Sequence, residues 1–172
     1  MGSQLAEVVR LHDIGFEIIE PAGRLAQLVA YWRHLVPMGL PGRQHIDPVT
    51  IGPALLPHIF LADAFDGGAR FRWRLIGTHI VSHAGTDDTG QELEATLSPQ
   101  MRETILGHYR EVVRGLRPLC HRSEFIGRDR RIYRYERLLL PLASDGKTVD
   151  MILGGAVFAR SIPESGRDRQ QG

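Results

Sequence analysis

The stretch GTHIVSHAGTDDTG, Gly77 to Gly90, sets His79 and His83 four residues apart and places Asp87 and Asp88 shortly after them. Histidines at i, i+4 share one helix face and occur as zinc pairs. A zinc site needs a third and usually a fourth ligand, and Ile80 stands where a His-Glu-x-x-His protease carries its glutamate. With no third ligand and no such glutamate, the ligand count argues against a metal site and leaves a turn and a pocket wall as the alternative.

His108 falls seven residues after Met101, close to the apolar stripe of a long helix. Facing inward, it could hold a haem, although a hydrogen-bonded core histidine is the more common use of such a position. In a small cone-shaped α+β enzyme it could instead form an acid–base pair with Asp63 or Glu124, which requires hydrogen-bond reach inside a cavity. Ser82, Ser98 and Ser123 lie in no Gly-x-Ser-x-Gly elbow, and no Walker phosphate loop is present. Cys120 is the only cysteine, which excludes an internal disulfide, a four-cysteine zinc site and a Cys-x-x-Cys redox pair, and makes the cytoplasm the natural compartment.

The elements that must position these residues can be read from periodicity. Leu25, Leu28, Val29, Trp32 and Val36 recur at i, i+3, i+4, i+7 and i+11, an amphipathic helix with Pro21 at its first turn. PMGLPGR breaks that helix, and DPVTIGPALLPHI reads as a capped turn or short helix. HIFLADAF and RFRWRLIG are strands joined by the Asp-Gly-Gly of a hairpin turn at Asp66 to Gly68. The second strand alternates, with Phe71, Trp73 and Leu75 inward and Arg70, Arg72 and Arg74 outward, the charged face of an edge strand rather than a nucleic-acid stripe.

Ser98 as N-cap and Pro99 at the first helical position open a helix to about Gly115, with Met101, Ile105, Tyr109, Val112 and Leu116 down one face. Ile105 and Val112 should be buried together with Trp73. PLCHRSEFIG, RIYRYERLLLPL and TVDMILGGAVFAR then make a three-strand meander, with a turn at Asp145 to Gly146. The order predicts an α+β domain: one five-stranded antiparallel sheet, helices over one face, an N-terminal flanking helix and a cavity between sheet and helices. Candidate pocket residues are Trp73, Leu75, His83, Ile105, His108, Tyr109, Tyr133 and Tyr135, with core filling the default role of the sheet aromatics. The N-terminal stripe either pairs two copies of the chain or covers the outer face of its own sheet.

A formal charge of +1 over 172 residues supplies no field that would draw in nucleic acid or an anionic membrane. No run of ~18 apolar residues is present, and MGSQLA has Ala where a myristoylation signal carries Ser or Thr. Apolar and charged fractions of 42% and 24% argue against a disordered or fibrous class.

From about Tyr31 to Arg160 the chain resembles the PAS sensor family, in particular its small stand-alone bacterial members. The resemblance is carried by LPGRQHIDPVTIGPALLPHIFLADAF and FRWRLIGTHIVSHAGTDDTGQEL, in which Leu40, Pro41, Arg43, Asp47, Pro48, Arg74, Leu75, Gly77, Thr78, Gly85, Asp87, Thr89 and Gly90 fill the family's pattern. It implies an N-terminal helical extension over 1–39 and a PAS-like sensor domain over 40–160, while the polar composition of 161–172 predicts a disordered tail. It further implies a non-catalytic sensing or interaction module that takes a small ligand, a partner protein or both, and that often pairs through flanking helices as a homodimer. Nothing in the sequence resembles a kinase, a cyclase or a helix-turn-helix reader, so the signal is expected to leave through an unidentified signalling protein. Haem-binding relatives place an axial histidine on the long helix, which points to His108. The photoreceptor flavin cysteine sits in a helical Asn-Cys-Arg segment, unlike Cys120 in the strand LCHRS.

Overall fold

The structure, a computed structural model, describes residues 15–36, 39–126, 131–159 and 162–163. Its elements in chain order are β1 (Gly15–Ile18), α1 (Gly23–His34), α2 (Pro48–Ile51), β2 (Ile59–Phe65), β3 (Arg70–Ile76), α3 (Thr78–Ala84), α4 (Leu93–Thr96), α5 (Pro99–Gly115), β4 (Leu119–Ile126), β5 (Arg131–Leu142), β6 (Met151–Phe158) and β7 (Ile162–Pro163). All strand pairs are antiparallel, in the order β1-β4-β5-β6-β2-β3, with β7 beside the start of β5.

The expected hairpin, helical middle and meander are present, and α5 begins at Pro99 and ends at Gly115 as its punctuation predicts. The strand count differs: six strands form the sheet's path where five were expected, and β7 pairs beyond them. β1 has only four residues, too few to show alternation; its register, Gly15↔Glu124 to Ile18↔His121, is supplied by β4. β7 lies within the stretch expected to be a disordered tail, where Pro163 and Ile162 pair with Arg131 and Ile132. The rest of 161–172 is outside the described residues.

The central strands are buried on both faces, so β5 reads as a nearly continuous apolar run toward its end. Alternation then sorts its leucines. Leu138, Leu140 and Leu142 face α1, whereas Leu139 faces α5. On the first side Leu25, Leu28, Val29 and Trp32 of α1 are buried against those leucines and Leu153, and the Trp32 indole donates to the Pro141 carbonyl at 2.9 Å. The N-terminal stripe is thus spent on its own sheet. On the second side Ile105, Leu106, Tyr109, Val112 and Val113 of α5 pack on Phe60, Phe71, Leu139 and Ile152, with Trp73 partly buried beside them. Leu116, the last residue of the helical stripe, is exposed and caps the helix with a φ of 55°.

Gly154 and Gly155 sit side by side in β6 and address opposite faces of the sheet. A Cβ on Gly154 would fall inside the Phe60 ring, and one on Gly155 would lie 2.9 Å and 3.0 Å from the Cδ2 atoms of Leu28 and Leu25. Two adjacent residues without side chains therefore admit one large apolar group on each face.

Candidate functional site

The turn segment flagged by its histidines builds one wall of a cavity. Asp87 Oδ1 accepts from the Thr89 amide at 3.0 Å and the Thr89 hydroxyl at 2.6 Å, closing the turn at Gly90. The chain then folds back on the free edge of β3: the Gly90 amide donates to the Trp73 carbonyl at 2.7 Å, and the Trp73 amide donates to the Gln91 carbonyl at 3.0 Å. This covers an edge strand and brings Thr86 and Asp88 to the cavity rim. His83 Nδ1 lies 2.9 Å from the His79 carbonyl, within its own helix, and its ring stacks on Phe158 at 4.3 Å. No group of three His, Cys, Asp or Glu side chains suited to a metal occurs among the described residues.

The cavity, about 240 Å³, lies between the sheet and the layer formed by α3, α4 and the start of α5. Trp73, His83, Ile105, Tyr133 and Tyr135, all expected at a pocket, line it. Leu75 does not. The β2–β3 register passes from Leu61↔Leu75 to Ala62↔Trp73, leaving Arg74 as an extra residue, and this bulge reverses the alternation after it. Leu75 is turned to the opposite face, 41% exposed, and Ile76 takes its place at the wall. Tyr109 also stays outside the lining: it is fully buried in the core, its ring 5.2 Å from that of Phe71.

His108 does not reach the cavity either; its ring lies 4.2 Å from the ring of His121 on β4, in a polar layer under α5. Burial, helped by the Arg137 charge, lowers the His108 pKa to about 4. Burial, then Arg137 and His108, lowers that of His121 to about 2. These neutral imidazoles face each other, so His108 does not offer the cavity an axial haem ligand. The acid–base pairs considered for it are also separated by the sheet. Asp63 sits on the α1 face with the Arg72 and Arg74 guanidiniums at 3.4 Å and 3.5 Å, and Glu124, on the same face, is bound by Arg134 at 2.6 Å.

Among the lining residues missed from sequence, two carry buried polar atoms without hydrogen-bond partners. Arg137 comes after Tyr133 and Tyr135 at the same two-residue spacing, so the face that carries the tyrosines also carries a cation. Its Nη2 lies 3.2 Å from His121 Nε2, its guanidinium carbon lies 5.4 Å and 5.9 Å from the ring centres of Tyr109 and Tyr135, and its Nε is buried without a hydrogen-bond partner. Ser98 occupies the N-cap position of α5 yet makes no side-chain cap bond; its hydroxyl is buried without a partner and the residue lines the cavity. Burial pushes the Tyr109 phenol up to about 12, with Arg137 opposing, and pushes the Cys120 thiol up to about 11, which makes that thiol a poor nucleophile.

The cavity is therefore mostly apolar with a few buried polar groups, the composition of a small-molecule site rather than of a nucleophile–base constellation. No helix among the described residues is long and apolar enough to cross a membrane. No curated protein matches the chain. A family model described as PAS domain matches residues 22–157, a span that runs from α1 through nearly all of β6. The sheet with its long helix and the length of that match agree: the chain belongs to the PAS domain family, whose members are sensory and signalling modules and generally non-catalytic.

Proposed function

We propose that the chain is a non-catalytic sensor that holds a small organic ligand in the α5-side cavity and passes its occupancy to an unidentified signalling protein. The observation that carries this reading is the cavity itself: about 240 Å³ left open in a domain whose other sheet face is closed by leucines, with Ser98 and Arg137 bringing partnerless polar atoms to its lining. The volume lies just below the roughly 300–1,000 Å³ of pockets for drug-sized ligands, so the ligand is small. α3 is suited to report occupancy, because Ile80, His83 and Ala84 line the cavity while Ser82 on the same helix is exposed. The reading places the protein in the cytoplasm. Any homodimer uses a surface other than the buried stripe of α1.

Native mass spectrometry of the full chain purified from its own host tests the reading. A retained small organic mass is expected, together with a fall in melting temperature after unfolding and refolding in its absence. A bare chain whose melting temperature is unchanged by that treatment would oppose it and favour a pure interaction module.

A further inference from the structure

We infer that the cavity selects a small organic monoanion, a carboxylate on an apolar body about the size of one aromatic ring, and that Arg137 is its charge partner. The inference rests on the reading of the cavity as a ligand site. Arg137 is only 7% exposed, yet none of the ion pairs among the described residues includes it. What surrounds it is neutral: the His121 imidazole and the faces of Tyr109 and Tyr135. These contacts occupy some of its donors and leave its charge unbalanced, and a buried charge without a counter-ion is costly. That cost is borne when the chain folds, so an entering carboxylate gains an ion pair without desolvating the guanidinium anew.

The other charged groups at the cavity do not cancel Arg137. Arg134 is held by Glu124, with Nε and Nη2 at 3.0 Å and 2.6 Å from Oε2. Asp88 accepts from the Thr86 hydroxyl at 3.5 Å and forms no ion pair with Arg137. With the Asp88 carboxylate also in the lining, a single guanidinium leaves room for one negative charge at most, which favours a carboxylate over a phosphate dianion. Ser98 adds a second buried polar group for the ligand's head, and Phe60, Trp73, Ile76, Ile105 and Phe158 offer its body apolar and aromatic walls.

The test uses the full chain, unfolded and refolded to free it of retained ligand, and three probes that share one phenyl-terminated three-carbon body: 3-phenylpropionate, its isosteric amide 3-phenylpropionamide, and 3-phenylpropylamine. Calorimetry gives affinities, and Trp73 fluorescence reports whether the probe enters the cavity. The carboxylate should bind at least about tenfold more tightly than the amide, and the amine most weakly. Arg137→Met should erase the preference for carboxylate over amide while leaving amide binding in place, and Arg137→Lys should retain part of it. Equal binding of acid and amide, or preference for the amine, would overturn the anion inference while leaving the cavity as a ligand site. Binding of none of the three would count against both. If Arg137→Met fails to fold, the acid–amide comparison on the unmodified chain still decides.

Discussion

The two faces of the sheet are built to opposite ends. Under α1 the interior is dry and aliphatic: Leu25 and Leu28 meet Leu138, Leu140, Leu142 and Leu153, and the one indole donor present, Trp32, is satisfied by a backbone carbonyl. Under α5 the same sheet presents Arg137, His121 and Ser123 amid aromatic rings, the Arg137 Nε and the Ser123 hydroxyl lack hydrogen-bond partners, and a cavity is left open. Close packing stabilises a domain, whereas unfilled volume and unpaired polar atoms destabilise it. The α1 face thus carries stability that the α5 face gives up, and the proposed ligand site lies on the less tightly packed side.

If that division holds, the largest loss of stability should come from the closed face. Leu28→Ala should cost about 2–5 kcal/mol in chemical denaturation, because its removal leaves a void among fixed leucines. Ile105→Ala should cost clearly less, since Ile105 already borders open space and fewer contacts vanish with it. Equal losses would break the comparison.

Gly154→Ala should cost about 1–3 kcal/mol, the usual range for overpacking. Because the added methyl displaces Phe60, a lining residue, it should also weaken probe binding in the cavity. Retained binding with normal stability would show that Phe60 moves freely.

The faces should also separate on acidification. An unfolded histidine titrates near 6.5, whereas folded His108 and His121 stay neutral down to about 4 and about 2. Below pH 6.5 the unfolded chain binds protons that the folded chain refuses, so this contribution is fully present above pH 6.5 and is lost as pH falls toward 4 and below. Burial of His58 and His79 adds loss in the same direction. Denaturation midpoints should therefore fall between pH 7 and pH 5, and His108→Gln should flatten that fall. An unchanged slope in the variant would place the sensitivity elsewhere.

The smallest effect belongs to the Arg134–Glu124 pair across β4 and β5. Glu124→Gln should cost about 0.2–1 kcal/mol, and the difference should shrink in high salt.

Much of this division was legible in the chain. Ser98-Pro99 marked the start of α5, Asp-Gly turns marked both hairpins, and the α1 stripe was evident, although periodicity alone could not say which surface it would cover. The spacing of Tyr133 and Tyr135 exposed the cavity face, and one further step of two would have reached Arg137. Leu75 was misplaced because alternation continues only while pairing is regular, and nothing in RFRWRLIG announces a bulge at Arg74. His108 shares the general direction of the α5 stripe, but a helix advances in steps of about 100°, enough to turn its ring toward His121 and away from the cavity. Ser98 was recognised by its place at a cap; that its hydroxyl would go unused there depends on packing that no local pattern records.

The central claim is that the α5 face, and not the α1 face, receives a ligand. Methyl carbon–proton NMR of the refolded full chain titrated with 3-phenylpropionate tests it most directly. Ile76, Ile80, Met101 and Ile105 should shift together with a single affinity, while Leu28, Leu138 and Leu140 stay fixed. Shifts concentrated under α1, or no shifts at millimolar probe, would contradict the account.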